Sequence, residues 1–158
     1  MRISGILILL TVFFISCDDN RVFERNYDFE EQHWLVSSKP EFEFTIPDSS
    51  LRYNLYCDVR NEESYPKANL YFTYYLSDST GRELQKKLMS EFLFDKKTGE
   101  PFGSTALGDI YDHQIPILKN YSFKHLGKYK VKFEQFMRTD TLHGILAVGL
   151  RVEKAEIK

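Results

Sequence analysis

The sequence predicts an all-β protein, with an antiparallel β-sandwich of the immunoglobulin-like or jelly-roll type as its architecture. Aromatic residues make up 15% of the 158 residues, and aromatic and β-branched side chains are typical of half-buried strands. After residue 40, short segments with a period of two alternate with turn signals, which is the pattern of sandwich strands. A chain of this length is expected to form one domain with a sizeable core.

Two strands are predicted directly after Pro40. In EFEFTIP every second residue is apolar, and LRYNLYCDVR repeats the pattern. The side chains predicted to share inner faces are Phe42, Phe44, Ile46, Leu51, Tyr53, Leu55, Cys57 and Val59. Cys57 is therefore expected to be a small buried hydrophobe rather than a reactive thiol.

A hairpin is predicted next, with a strand in NLYFTYYL, a turn at SDSTG and a return segment in ELQKKLMSEFLF. The return segment has two interpretations. Leu84, Leu88 and Phe92 recur every four residues, as in a helix, yet they also share one face of a strand. The β-rich neighbours favour the strand.

The alternation is lost in DKKTGEPFGSTALGDIYDHQIPILKN, and residues 95–118 are predicted to form a long loop. Loops of this length in compact domains usually carry function. Its candidate interaction residues are Asp109, Tyr111, Asp112 and His113. Asp109, Asp112 and His113 would suit a metal ion or an acid–base pair, whereas loop Asp and His side chains more often hydrogen-bond nearby backbone.

Two further strands are predicted in GKYKVKFEQFM and ILAVGLRVE. Their predicted inner residues are Tyr129, Val131, Phe133, Met137, Leu146, Val148, Leu150 and Val152. The stretch Leu126-Gly127-Lys128-Tyr129 resembles the tyrosine corner of immunoglobulin-like sandwiches, in which the phenol hydrogen-bonds to backbone upstream.

Three tyrosines are predicted to point away from the core. Tyr56 lies on one strand, and Tyr71 and Tyr75 lie on another, each on the side opposite the apolar residues. Exposed tyrosines favour a binding surface. Cross-strand aromatic pairing, or cover by the N-terminal segment, explains them equally well.

The N-terminus carries an export signal. Arg2 provides a positive charge, and the thirteen residues from Ile3 to Ile15 carry none. A membrane-spanning helix needs about 20 residues, so this apolar run fits a signal peptide instead.

The end of the signal resembles the lipobox of bacterial lipoproteins. Phe14-Ile15-Ser16-Cys17 has an apolar residue at −3, a small residue at −1, and then the cysteine that is acylated in that class. The predicted organisation is a signal peptide at 1–16, a lipidated tether and lead-in segment at 17–40, and the sandwich at 41–158. Packing onto the domain is expected from about Tyr27 onward. The acyl chains on Cys17 would attach the protein to a membrane, which leaves Cys57 without a disulfide partner.

Several function classes are disfavoured. A formal net charge of −2 and a pI of about 6.1 give no basic excess for nucleic acid. The four histidines lack zinc-ligand spacing, and there is no phosphate-binding glycine loop or nucleophile elbow. The sequence therefore predicts no cofactor, no bound metal and no enzymatic activity.

Three stretches together resemble a known family. They are DDNRVFERNYDFEEQHWL after Cys17, LFDKKTGEPFGSTALGDIYDHQIPILKNYSF, and GKYKVKFEQFMRTDTLHGILAVGLRVEK. The resemblance is to the gliding motility lipoprotein GldH family of the Bacteroidetes. It implies an accessory component of the gliding machinery, tied to type 9 secretion and acting through contacts with other envelope proteins, with no catalytic residues.

The resemblance leaves the side of the membrane open, with the outer membrane favoured over the inner. The alternative function is a surface glycan-binding lipoprotein, in which Trp34 and Tyr75 would stack on sugars.

Overall fold

In the computed structural model, which describes residues 19–156, the alternating segments form antiparallel strands throughout. A 3-10 turn at Glu30–Gln32 separates the first two strands. The strands are β1 (Arg21–Asp28), β2 (His33–Leu35), β3 (Glu41–Ile46), β4 (Arg52–Glu62), β5 (Asn69–Asp78), β6 (Glu83–Phe92), β7 (Ser104–Leu107), β8 (Ile110–Ser122), β9 (Gly127–Gln135), β10 (Thr141–His143) and β11 (Ile145–Lys154).

The strands form two layers with one core between them, so the predicted all-β sandwich is confirmed. One layer is a five-stranded sheet in the order β1-β11-β4-β8-β7, and the other is a four-stranded sheet in the order β3-β9-β5-β6. Strands β2 and β10 form a small additional ribbon. The fully buried side chains of greatest volume are Trp34, Tyr53, Tyr74, Phe72, Phe133, Ile46, Leu55, Leu70, Leu76, Leu93, Ile145 and Leu150.

The lead-in segment is built into this fold. Strand β1 pairs with β11 from Arg21 onward, ahead of Tyr27, where the sequence predicts that packing begins. Trp34 is fully buried and stacks on Phe29 with ring centroids 5.3 Å apart. Its indole Nε1 donates to the carbonyl oxygen of Ser38 at 2.8 Å. From Arg21 onward, the lead-in segment therefore contributes paired strands and a buried tryptophan to the fold.

The prediction of a loop over residues 95–118 is wrong from Ser104 onward. Strands β7 and β8 pair there, and the inward side chains of β8 include His113, Ile115 and Ile117. Pro116 is the reason that the sequence predicts no strand here, because proline is excluded from central strands. It is tolerated here because β7 pairs with β8 only as far as Asp112, which leaves the outer edge of β8 free at Pro116.

Two other sequence predictions are confirmed and one is changed. The ambiguous return segment is strand β6, although Met89 is its buried residue and Leu88 faces outward. The tyrosine corner is present, since Tyr129 Oη donates to the carbonyl oxygen of His125 at 2.8 Å. Leu146, expected inside, is only half-buried because the strand register shifts between Ile145 and Ala147.

The two ends of the sandwich are built from different connections. At the N-terminal end, Lys154 N donates to the carbonyl oxygen of Asn20 at 2.8 Å, and the turns after β3, β5 and β8 lie nearby. The far end holds the β2–β10 ribbon and the β4–β5 and β6–β7 connections. None of the helices within residues 19–156 has the length and apolar character needed to span a membrane.

Candidate functional site

The predicted acylation site, Cys17, lies outside the described residues. The second cysteine, Cys57, is buried and free on the inner face of β4, where burial raises the pKa of its thiol well above the usual value. This is the location that the alternation of β4 predicted.

The acidic and histidine residues of the predicted loop do not converge. Asp109 is exposed in the β7–β8 turn, where its carbonyl oxygen accepts from Glu63 N at 2.7 Å. Asp112 points outward and forms a two-point ion pair with Arg60, at 2.7 and 3.0 Å. His113 points inward. Neighbouring residues of a strand face opposite sides, so the side chains of Asp112 and His113 point away from each other, although both residues line the groove described below.

His113 is a buried residue whose Nε2 has no hydrogen-bond partner among the described residues. It is only 7% exposed, and burial lowers the pKa of its imidazole. Its ring lies against Gly103, where an added Cβ would be 2.8 Å from Nε2. Tyr111 also faces inward, edge-on to Phe94 at 6.1 Å. No group of three or more potential metal-ligating side chains occurs in the part of the chain that the structure describes.

A polar groove does lie on the outer face of the five-stranded sheet. It has a volume of about 370 Å³, and its polar lining includes Glu24, Asn26, Asp58, Arg60, Ser104, Asp112 and Gln114. Ala147 lies in the floor beside Gly149. A Cβ on Gly149 would be 2.0 Å from Asn26 Oδ1, so the missing side chain is what lets Asn26 fold over the sheet.

Asp58 is the titratable centre of the polar groove. Burial, with smaller contributions from the nearby carboxylates of Glu24 and Asp112, raises its pKa to about 6. A hydrogen bond from Gln114 and the charge of Arg151 act in the opposite direction. Sequence reasoning missed Asp58, because the strand register that places it opposite Gly149 is known only from the structure.

The three outward tyrosines do not form one face. Tyr56 lies on the five-stranded sheet, while Tyr71 and Tyr75 lie on the four-stranded sheet, so the two groups point to opposite sides of the sandwich. Tyr75 is held in place, because its hydroxyl donates to Glu134 at 2.8 Å and Lys86 and Lys132 lie over its ring.

Tyr71 belongs instead to an exposed apolar patch that the sequence pattern did not identify. The patch, called here the far apolar patch, consists of Tyr71 (39% exposed), Leu88 (48%), Phe92 (41%) and Phe136 (63%). The sequence shows the patch only as the recurrence of Leu84, Leu88 and Phe92 every four residues. This recurrence fits one face of a helix and one face of a strand equally well.

The fold and its surfaces thus define an all-β sandwich domain with a polar groove on one outer face and an apolar patch on the other. Among family models, the one described as GldH lipoprotein matches residues 21–152. The chain belongs to the GldH lipoprotein family.

Two curated relatives align over nearly the whole chain. The chain is 31% identical over 159 residues to a protein of Christiangramia forsetii named gliding motility lipoprotein GldH homolog, covering 96% of this chain and 94% of the relative. It is also 31% identical over 165 residues to the gliding motility lipoprotein GldH of Flavobacterium johnsoniae, covering 99% of this chain and 100% of the relative.

Similarity to a solved structure is weaker. The VP2 subviral particle protein of infectious bursal disease virus aligns with a TM-score of 0.44 and 13% sequence identity. The alignment covers 99% of this chain and 38% of the viral chain. At this level of similarity it carries no argument about function.

Proposed function

We propose that this protein is a non-enzymatic, lipid-anchored component of the cell envelope that serves the gliding machinery and type 9 secretion through contacts with other proteins. The observation that carries the proposal is the alignment of essentially the whole chain with two relatives named gliding motility lipoproteins. The partners of the predicted loop residues are consistent with it, because Asp112 is held in an ion pair with Arg60 and the backbone of Asp109 is bound by Glu63 N.

The proposed anchor would hold the sandwich close to the membrane. Residues 1–16 would be removed as a signal peptide, and Cys17 would become the acylated first residue. Only residues 18–20 separate it from strand β1, which begins at Arg21. The four Cα-to-Cα steps from Cys17 to Arg21 span about 14 Å at most when fully extended. The N-terminal end of the sandwich would therefore face the membrane, for which the outer membrane is the proposed location.

The anchoring is tested with matched cysteine variants in a host of the same phylum. A fatty-acid probe should label the wild-type protein and Cys57→Ala, since Cys57 is buried and free. It should not label Cys17→Ser, which should also leave the membrane fraction. Equal labelling of Cys17→Ser and wild type would refute the anchor.

The assignment to the machinery needs a separate experiment. In a gliding host, deletion of the gene should abolish gliding and reduce type 9 secretion, and the wild-type gene should restore both. A deletion strain that glides and secretes normally would contradict the assignment, whatever the lipidation result.

The structure disfavours Trp34 as the sugar-stacking residue that the glycan-binding alternative requires. Trp34 is fully buried and hydrogen-bonded at its indole nitrogen, so it presents no face on which a sugar could stack. Tyr75 is covered by two lysines. Neither residue of the glycan-binding alternative therefore offers an open ring face.

A further inference from the structure

The far apolar patch is one continuous feature of the outer face of the four-stranded sheet. Strand register places Leu88 opposite Thr73 and Ser90 opposite Tyr71, so Leu88 and Phe92 lie diagonally on either side of Tyr71. On the other side, Phe136 N donates to the carbonyl oxygen of Tyr71 at 2.8 Å, which brings Phe136 alongside. Diagonal neighbours on a sheet are close enough for aromatic and long side chains to touch.

The exposed apolar surface is concentrated away from the N-terminal end. Among residues 19–156, the exposed large hydrophobic side chains other than Leu126 all lie in the far half of the sandwich. They are Tyr27, Leu35, Val36, Tyr71, Leu88, Phe92, Phe102 and Phe136. Single exposed apolar residues are ordinary, whereas contiguous ones rimmed by polar residues mark interaction sites.

Lysines without carboxylate partners rim the far apolar patch. Lys96 Nζ lies 4.3 Å from the ring centroid of Phe92, and Lys86 Nζ lies 4.9 Å from that of Tyr75. Within the described residues, neither of these lysines has a carboxylate at ion-pair distance. On the same face, Lys39 is paired with Glu134 at 2.7 Å beside the patch, and nearer the N-terminal end Lys128 and Lys130 are each paired with a glutamate, at 2.6 and 2.8 Å.

The proposed anchor determines which way the far apolar patch points. Strand β5 runs from Asn69 near the patch to Asp78 near the N-terminal end. At about 3.3 Å per residue, this strand spans about 30 Å. If Cys17 is acylated and the linker holds the N-terminal end against the membrane, the patch faces away from the lipid.

We propose that the far apolar patch, with Lys86 and Lys96 at its rim, is the docking surface for a protein partner that presents apolar side chains flanked by aspartate and glutamate. This inference rests on the proposed function, which requires a protein partner, and it adds where the partner binds and what chemistry it presents. Complementary charge would attract the partner, and burial of the aromatic side chains would hold it.

Two other occupants fit the surface less well. A lipid surface would suit lysines beside aromatic rings, but the short linker directs the opposite end of the sandwich toward the membrane. A second copy of this chain would bring the same lysines against each other in a two-fold interface, where like charges repel.

The test uses the full-length lipidated protein in the envelope of a host that lacks its own copy. A photoreactive phenylalanine analogue is placed at Phe136, which is 63% exposed, and in a matched protein at Leu126, which is 62% exposed but lies at the N-terminal end. The Phe136 probe should give one discrete adduct with another protein, crosslinked through a segment that contains apolar and acidic residues. The Leu126 probe should not give this adduct.

Charge variants then test the chemistry of the adduct. Lys86→Glu with Lys96→Glu should reduce its yield about tenfold or more, as should Leu88→Ser, because both remove interactions at the centre or rim of the interface. Lys119→Glu with Lys124→Glu makes the same charge change at the N-terminal end and should leave the yield unchanged. Circular dichroism and the urea midpoint of each purified variant establish that it is folded.

Several outcomes of the crosslinking experiment would contradict the proposed docking surface. An adduct with a second copy of this chain or with lipid, an adduct unaffected by Lys86→Glu with Lys96→Glu, or no adduct from Phe136 would overturn the docking surface. Because crosslinking is read independently of motility, such a result leaves the proposed function standing. Failure of the proposed function would instead appear as normal gliding and secretion in the deletion strain.

Discussion

The two outer faces of the sandwich differ in how their side chains are partnered. On the five-stranded sheet, Asn26 folds over the bare backbone of Gly149, and Arg60 pairs with Asp112, so polar groups contact one another across the face. On the four-stranded sheet, lysine–glutamate pairs cover the half near the N-terminal end and reach the middle with Lys39 and Glu134, whereas the far half exposes apolar side chains. The first face demonstrates that this fold can cover most of a sheet with polar contacts. The far apolar patch is therefore not a requirement of the architecture.

The outer face of the five-stranded sheet, called here the polar face, should be most sensitive to a change at the contact between Gly149 and Asn26. Gly149→Val should lower the free energy of unfolding by about 2 kcal/mol, because overpacking a filled site costs about 1–3 kcal/mol. Its Cβ would meet Asn26 Oδ1 at 2.0 Å and the carbonyl oxygen of Arg25 at 3.0 Å. Urea denaturation followed by circular dichroism measures the change.

The Asn26 side chain supplies the control for that prediction. In the background Asn26→Ala, Gly149→Val should cost clearly less, since the atom nearest to the new side chain is gone. Equal costs in the two backgrounds would mean that the clash with the Arg25 backbone dominates and that Asn26 does not close the polar face.

Asp58 should make the stability of the polar face depend on pH. Its folded pKa of about 6 lies above the ordinary aspartate value, so the folded state binds the proton more tightly than the unfolded state. The carboxylate therefore destabilises the protein above pH 6, and this penalty is relieved as the pH falls from about 6 to about 4.

Replacement by asparagine isolates the effect of Asp58. Allowing for water at the mouth of the groove, Asp58→Asn should stabilise the protein by about 1–2 kcal/mol at pH 7.5 and by much less at pH 4.5. Urea midpoints of wild type and variant at the two pH values provide the measurement. A gain that is the same at both would show that Asp58 is not the titrating group.

The difference between the faces also explains what the sequence could predict. Alternation correctly assigned the inner residues of β3, β4 and β9, because burial between two sheets requires every second side chain to be apolar. Alternation gave no information on which outer residues lie next to one another, because those neighbours are determined by strand order. Tyr56 and Tyr75 have the same pattern in sequence, yet β4 and β5 lie in different sheets.

Strand β8 is the clearest failure, and its reason is local. Asp112, His113 and Pro116 are residues that usually interrupt strands, and the fold accommodates each of them, although His113 Nε2 is buried without a hydrogen-bond partner among the described residues. Asp112 faces solvent against Arg60, His113 packs against Gly103, and Pro116 lies where β8 has no outer neighbour. These arrangements depend on the tertiary fold, so the local pattern could not reveal them.

The ion pair of the polar face should have a moderate effect. Arg60→Met should lower the free energy of unfolding by about 0.5–1 kcal/mol, since a two-point pair between half-exposed groups lies at the upper end for surface pairs. Arg60→Lys should recover only part of the loss, because an ammonium group cannot reproduce the planar two-point contact. Full recovery with lysine would assign the effect to charge alone.

The lysine–glutamate pairs of the opposite face should have the smallest effect. Lys130 and Glu41 are about as exposed as Arg60 and Asp112, but the ammonium group makes one contact, at 2.8 Å, where the guanidinium makes two, and exposed pairs are screened by salt. Lys130→Met should therefore leave the urea midpoint unchanged within measurement error. The difference between the midpoints of Lys130→Met and wild type should also be the same at low and at high NaCl. If Lys130→Met lowered the midpoint as much as Arg60→Met, the two faces would be equally dependent on their charge pairs. The contrast between a face held together by polar contacts and a face free to bind a partner would then be lost.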